Sequence, residues 1–169
     1  LTLQDFDMAN GVSLNWGGFD KAVANAAKKL ANSKALMASV GEALVSGTIR
    51  RFNDEESPKG EKWEKSGRAI AEGGQTLSDT AHLRKSIDFA ATPTKVMVGS
   101  NLLYARIHQL GGTIKPKKGK ALKFKGKNGK DVFVKEVNMP ARPYLGVSKA
   151  DMDEVRATMA EFIKGAFKG

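Results

Sequence analysis

The stretch VMVGSNLLYARIHQLGG, residues 96–112, is the segment around which the rest of the chain is organised. Val96 and Val98 alternate as residues do on a half-buried strand. Asn101 follows the break in this strand and predicts a helix N-cap, because its side chain can accept a hydrogen bond from a free backbone N–H. We therefore expect a strand that turns directly into a helix.

The second half of the stretch predicts the helix and its end. Its apolar residues recur at helical spacing, and they are Leu103, Ile107 and Leu110. Gly111 can adopt the left-handed conformation that ends helices, and Gly112 then lets the chain reverse. The pattern indicates a helix of about two turns over residues 101–110, with one apolar face turned inward.

Three further segments accompany YARIHQLGG in a fixed order. They are Ser57-Pro58-Lys59-Gly60 with Trp63, Leu77-Ser78-Asp79-Thr80 with Leu83-Arg84-Lys85-Ser86-Ile87, and MPARPYLG at residues 139–146. In these motifs the chain resembles the virion morphogenesis, or tail-completion, proteins of Mu-like tailed phages, from about Phe52 to the C-terminus. One departure is Ala81, which stands where that family usually has glycine.

The resemblance implies a non-enzymatic structural protein of the virion. Such a protein finishes the phage tail and helps to join it to the head; a tail terminator or head–tail adaptor is the alternative within the same class. It implies a homo-oligomeric ring, hexameric where it caps a six-fold tail, in the tail or neck beside tail tube or sheath and head-connector proteins. Assembly would take place in the bacterial host cytoplasm, and no cofactor is expected. The structural signature comprises Asn101, Tyr104, Ile107, His108, Gln109, Gly111, Gly112, Pro143 and Tyr144.

Composition limits the class of protein independently. A chain of 169 residues suits one domain with a real core. The absence of cysteine excludes disulfides, cysteine–zinc sites and thiol chemistry. There is no run of about 18 apolar residues, so we expect no membrane span.

The positive charge is concentrated in one segment, residues 113–130, which we call the lysine loop. It holds eight of the 28 basic residues and no acidic residue, while the whole chain carries +10. Three interpretations stay open: a solvated hairpin, contact with an acidic partner ring, or contact with DNA phosphates. The candidate contacts are Lys115, Lys117, Lys118, Lys120, Lys123 and Lys125. A basic nucleic-acid-binding module is the competing function from another class.

The remaining pattern predicts an α+β domain, residues 20–169, preceded by an N-terminal arm, residues 1–19. Helices are expected over residues 20–31 and 33–53, over a short segment from Ser78 or Asp79 to Ser86, and after Ser148, which we expect to be the N-cap. Two hairpins, near residues 87–98 and 121–135, would form a small antiparallel sheet against two or three long helices. For the second hairpin a three-residue loop at residues 127–129 is favoured over the two-residue turn, because it places Leu122, Phe124, Val132 and Val134 on one face.

Candidate contact residues lie mainly outside the helices. The arm, which contains Trp16, is either a flexible segment or one that docks on a neighbouring subunit. Residues 53–76 are expected to form a long surface loop held down by Trp63. Arg142, in a rigid Pro-Ala-Arg-Pro connector, has two candidate roles: pairing inside the subunit, which we favour, or bridging a subunit boundary.

No catalytic constellation is evident. His82 and His108 lack the spaced partners of a metal motif, and His108 is expected to make a structural hydrogen bond to a backbone carbonyl. The acidic residues of the polar loop do not converge, and no phosphate-binding loop is present. We therefore expect no enzymatic activity.

Overall fold

The computed structural model describes residues 12–13, 33–125 and 130–166. Helices α1 to α5 are Ser33–Asp54, Gly67–Glu72, His82–Lys85, Ala105–Leu110 and Lys149–Ala166. Strands β1 to β7 are Val12–Ser13, Asp88–Ala91, Val96–Ser100, Gly112–Ile114, Leu122–Lys125, Asp131–Val134 and Val137–Met139. The α+β class is confirmed. The expected first helix, Trp16, most of the arm and the tip of the second hairpin lie outside the described residues.

Helix α1 forms one side of the core. Its buried apolar residues form a stripe at helical spacing, and they are Leu36, Met37, Val40, Ala43, Leu44 and Phe52. Val96 and Val98 of β3 face this stripe in the same cluster. At Gly41 a Cβ atom would lie 2.2 Å from Cδ2 of Phe89 on β2, so the helix can approach the sheet this closely only with glycine there.

The first hairpin is confirmed and gains a strand. β2 and β3 pair antiparallel with Phe89 opposite Val98, and β1 adds to the other edge of β3 with Val12 opposite Ser100. Part of the predicted arm is thus hydrogen-bonded to the sheet of its own chain. The expected single sheet of two hairpins is wrong, because the second hairpin, β5–β6, forms a separate two-stranded sheet.

The favoured register of the second hairpin is confirmed. Leu122 lies opposite Val134 and Phe124 opposite Val132, so these four side chains share one face. That face is not buried in the core: Phe124 is exposed, and so is Phe133 on the opposite face. A second pair of strands, β4 and β7, connects the hairpin to the body, with Ile114 opposite Val137.

The helix predicted over residues 101–110 is shorter and turned differently. α4 begins at Ala105, its N-cap is Tyr104 without a side-chain hydrogen bond, and Asn101 is exposed outside it. Ser100 supplies the local turn instead, because its Oγ accepts from the backbone N–H of Leu102 at 3.2 Å. The predicted inward face is also wrong: Leu103 is 73% and Leu110 54% exposed, while Ala105 and Gln109 are buried.

Residues 53–76 are not a plain surface loop. They contain α2, whose N-cap Ser66 accepts a hydrogen bond from Ala69 N at 3.1 Å. Trp63 holds the segment to the core as predicted, with its ring edge-on to Phe52 at 5.6 Å between centroids. The segment is therefore part of the frame as well as of the surface.

Helix α5 packs across α1 and completes the core. Its predicted N-cap is confirmed, because Ser148 Oγ accepts from Asp151 N at 3.1 Å while Asp151 Oδ2 accepts from Ser148 N at 2.7 Å. Val155 is buried, and Met159 and Phe162 pack on the core from its edge. Across the described ranges, the helices lack the combination of length and apolar character that crossing a membrane requires.

Candidate functional site

The two strongest motifs of the sequence pack directly on each other. Gln109 of α4 binds the connector, residues 139–146, through its side chain: Oε1 accepts from Tyr144 N at 3.0 Å and Leu145 N at 2.9 Å, and Nε2 donates to Leu145 O at 3.1 Å. Tyr144 Oη returns a hydrogen bond to Ala105 O at 3.0 Å. Burial raises the pKa of Tyr144, so its phenol remains a proton donor at any physiological pH.

The double glycine is explained by the same junction. Arg142 N donates to His108 O at 2.7 Å, which draws the connector against the end of α4. Gly111 has φ +69°, and a Cβ there would lie 2.7 Å from Ala141 N. Gly112 has φ +140°, with Ile107 Cδ1 at 3.0 Å from a Cβ placed on it. Only glycine combines this conformation with this close an approach.

Trp63 and Arg142 lie inside the subunit. Trp63 Nε1 donates to Pro143 O at 3.0 Å, and Arg142 Nε donates to Glu64 O at 2.8 Å. Both side chains are buried. Both side chains make hydrogen bonds within the chain, which for Arg142 is the internal role that we favoured. Contact of Trp63 and Arg142 with a neighbouring subunit stays a prediction.

A second buried arginine, Arg51, was not anticipated from the sequence. Its Nη1 lies 2.6 Å from Asp151 Oδ2, its Nε donates to Tyr144 O at 2.8 Å, and its Nη2 donates to Gly146 O at 3.1 Å. It therefore joins α1, α5 and the connector. The available signal was its position, since an arginine directly before Phe52 borders the buried stripe of α1.

A cavity of about 360 Å³ lies where α2, α3, α4 and the connector meet. We call it the His108 cavity. Its polar lining includes Arg68, Asp79, His82, Tyr104, His108 and Arg142. Asp79 already has a cation nearby, because its Oδ1 lies 3.7 Å from Arg68 Nη1.

His108 does not make the hydrogen bond expected of it. Its Nδ1 is buried and has no partner, and Ser78 Oγ is the other such atom within the described ranges. Burial, followed by the positive charge of Arg142, lowers the pKa of His108, so the ring is neutral near pH 7. Tyr104 stands edge-on to it at 5.9 Å between centroids.

Four exposed apolar residues lie in α4 or close to it in the sequence. We call this group the apolar patch, and it consists of Leu103, Tyr104, Leu110 and Ile114, all exposed. Two of these residues, Leu103 and Leu110, belong to the helix face that was expected to face the core. Tyr104 is shared with the His108 cavity, so the patch and the cavity are adjacent.

The lysines of the lysine loop whose side chains are described are exposed. Lys115 and Lys123 have acidic neighbours, Glu136 at 3.3 Å and Asp131 at 2.8 Å. Lys117, Lys118 and Lys120 are exposed and, among the described residues, have no acidic group within 4.0 Å. The side chain of Lys125 lies outside the described part.

The described residues were compared with metal sites, and the chain was compared with known proteins. No group of three or more potential metal ligands occurs in the described residues. A sequence model of the phage virion morphogenesis family matches residues 14–164. No curated protein and no solved structure matches the chain.

Proposed function

The chain belongs to the phage virion morphogenesis family, and from this membership we propose that it is a tail-completion or neck component, which finishes the phage tail and helps to join it to the head. Family membership points to a structural rather than a catalytic role. Within the virion, the tail terminator and the head–tail adaptor are the alternative positions for the same kind of protein.

The observation that carries the proposal is the apolar patch beside the rigid junction of α4 and the connector. Leu103 and Leu110 keep more than half of their surface in contact with solvent. Several large apolar side chains left exposed in one part of the chain are typical of protein contact surfaces. Because Gln109 and Tyr144 fix α4 to the core through buried hydrogen bonds, the patch is presented on a rigid support.

We assign this patch to contacts between subunits of a ring. A cyclic ring uses heterologous contacts, in which one surface meets a different surface on the next copy. The arm, including Trp16, and the second hairpin are the further surfaces available for such contacts. A six-fold ring would match a six-fold tail, with tail tube or sheath on one side and head-connector proteins on the other.

The lysine loop supports a secondary role in contacting DNA. Lys117, Lys118 and Lys120 are exposed without acidic neighbours in the described residues, and lysines bind phosphates without reading sequence. Replacing Lys117, Lys118, Lys120, Lys123 and Lys125 with glutamate should abolish any shift of nonspecific duplex in a gel at low salt. A shift that survives this change would exclude the loop as the DNA contact. Tight, salt-sensitive binding by the monomer without ring formation would favour the nucleic-acid module.

Electron microscopy of particles tests the main proposal. We expect the chain to be located as a ring at the end of the tail or in the neck. Deleting its gene should yield unfinished tails or heads without tails, and supplying the chain from a plasmid should restore joined particles. Joined, infectious particles from the deletion strain, or particles that lack the chain, would overturn the proposal.

A further inference from the structure

The His108 cavity contains a buried cation without a counterion. Arg142 is 4% exposed. Its Nε donates to a backbone carbonyl, that of Glu64, and among the described residues no carboxylate lies within 4.0 Å of the guanidinium. Burial lowers the pKa of Arg142, an effect that the more distant charge of Glu64 offsets in part. Burying an unpaired charge is costly, and buried arginines are ordinarily paired.

Arg51 is a buried arginine with a structural role, and its contacts can be compared with those of Arg142. Arg51 is 5% exposed, and it is paired with Asp151 at 2.6 Å and hydrogen-bonded to two backbone carbonyls and Thr48 Oγ1. Arg142 has the same burial but one backbone hydrogen bond through its side chain. Its two Nη groups have no hydrogen-bond partner among the described residues, and Arg142 lines an open cavity.

His108 gives a second, independent indication of a missing ligand. His108 lines the same cavity as Arg142, and its Nδ1 is buried there without a hydrogen-bond partner. An imidazole nitrogen and a planar guanidinium form a suitable pair of donors for an oxyanion with two oxygens. Arg68 adds positive charge at the same cavity, where it is balanced by Asp79 at 3.7 Å.

The surroundings favour a carboxylate on a protein over a phosphate on DNA. The cavity opens beside Tyr104, and Leu103 next to it is exposed. A protein segment can cover these apolar side chains while it inserts an acidic group, whereas a DNA backbone offers no apolar surface for them.

We propose that the His108 cavity is a receptor for an aspartate or glutamate side chain of a neighbouring protein, flanked by apolar residues that cover Leu103 and Tyr104. The carboxylate pairs with the guanidinium of Arg142 and accepts a hydrogen bond from His108. This inference depends on the family's assembly role only for the presence of a neighbour, and not on the position of the chain in tail or neck.

The test uses the purified chain and a matched pair of peptides. The probes are acetyl-Leu-Glu-Phe-amide and its neutral counterpart acetyl-Leu-Gln-Phe-amide, with sodium phosphate and sodium chloride at equal ionic strength. The chain has two histidines, so NMR of the imidazole groups reports on the cavity directly. We expect the acidic peptide to shift His108 in a saturable manner, with at least tenfold weaker binding of the neutral peptide and no saturation with chloride.

Variants separate binding from folding. Arg142→Gln and the milder Arg142→Lys should weaken binding of the acidic peptide tenfold or more, whereas Lys59→Gln, which removes an exposed charge elsewhere, should not. Thermal unfolding of each variant shows whether it is folded. Equal binding of both peptides, or undiminished binding by a folded Arg142 variant, would overturn the proposal; saturation by phosphate without binding of the acidic peptide would assign the cavity to a free anion instead. Joined particles from a strain that lacks the chain, together with normal peptide binding by the purified chain, would contradict the assembly role and leave the receptor intact.

Discussion

Gln109 shows how one side chain can fix the relation of two segments. The connector contains two prolines, which lack the N–H donor. It therefore cannot pair with a neighbouring strand along its whole length. Gln109 takes the place of a neighbouring strand, since its amide both accepts from and donates to the connector backbone. These hydrogen bonds are sensitive to substitution of Gln109. Their partners in Tyr144 and Leu145 are buried, so water cannot replace a lost bond.

Replacing Gln109 with methionine should lower the free energy of unfolding by about 3 kcal/mol. The change keeps the volume but leaves the backbone groups of Tyr144 and Leu145 without partners, at about 1–3 kcal/mol for each unsatisfied group. Denaturant unfolding followed by circular dichroism measures the loss. The matched control is Gln75→Met, at an exposed glutamine, which should cost less than about 1 kcal/mol; equal effects of the two changes would contradict the role of Gln109.

His108 should make stability depend on pH. Its pKa is lowered in the folded chain, so the unfolded chain binds more protons between that value and about 6.5. Stability is therefore full above about pH 6.5 and declines as the pH falls through the folded-state pKa, by at most about 1.4 kcal/mol per pH unit. The charged groups that line the same cavity are Arg68, Asp79 and Arg142.

Unfolding in denaturant at several values between about pH 5 and 8 measures this dependence. His108→Gln should flatten the decline, and His82→Gln, at an exposed histidine of the same cavity, should leave it unchanged. A decline that persists in His108→Gln would assign it to another group.

At the scale of the element, the backbone before α3 carries a local cost. Ala81 is the N-cap of α3 and has φ +58°, ψ 11°, in the left-handed region. That conformation costs an L-residue with a Cβ about 1–2 kcal/mol. The family resemblance places glycine at this position, and the structure keeps the glycine-like conformation with alanine in place.

Ala81→Gly should therefore stabilise the chain by about 1 kcal/mol. The substitution removes the backbone strain of the folded chain, and the greater conformational entropy of glycine in the unfolded chain offsets part of this gain. The same substitution in the exposed helix position Ala71 of α2 should destabilise it by about 1 kcal/mol. Thermal unfolding compares the two variants with the parent. A destabilised Ala81→Gly would show that the turn is not strained.

The second hairpin is predicted to be dispensable for folding. β4 and β7 pair next to its base with Ile114 opposite Val137, and Phe124 and Phe133 of the hairpin are exposed. Replacing residues 115–136 with Asn-Gly, a suitable two-residue turn, should change the free energy of unfolding by less than about 1 kcal/mol. Cooperative unfolding measured by calorimetry checks this, and a chain that fails to fold would show that the hairpin belongs to the core.

At the scale of the whole molecule, the sequence predicted what local periodicity determines. The β2–β3 hairpin, the register of β5–β6 and the Ser148 cap all follow from residues close to one another in the chain. The orientation of α4 does not. The inner side of α4 faces a connector that begins 35 residues after Tyr104 in the sequence. The connector lies so close to α4 that Ala105 and the Gln109 amide fit between them, whereas leucine side chains do not. The apolar pattern of α4 therefore indicated the outer surface, and the His108 cavity, built from four separate segments, had no sequence signal at all.

That outward apolar face gives the last prediction. If the apolar patch forms the subunit contact, then Leu103→Glu with Leu110→Glu should abolish assembly and leave the monomer folded, because neither side chain contributes to the core. Ile70→Glu is the matched control, since Ile70 is 63% exposed on α2 and lies outside the patch.

Each variant is supplied to a deletion strain, and joined particles are counted by electron microscopy while thermal unfolding checks the fold. We expect joined particles to fall at least tenfold for the double variant and to remain at the parent level for the control. Normal particles from the double variant would move the contact to another surface, and equal losses in both variants would show that added acidic charge, rather than the patch, blocks assembly.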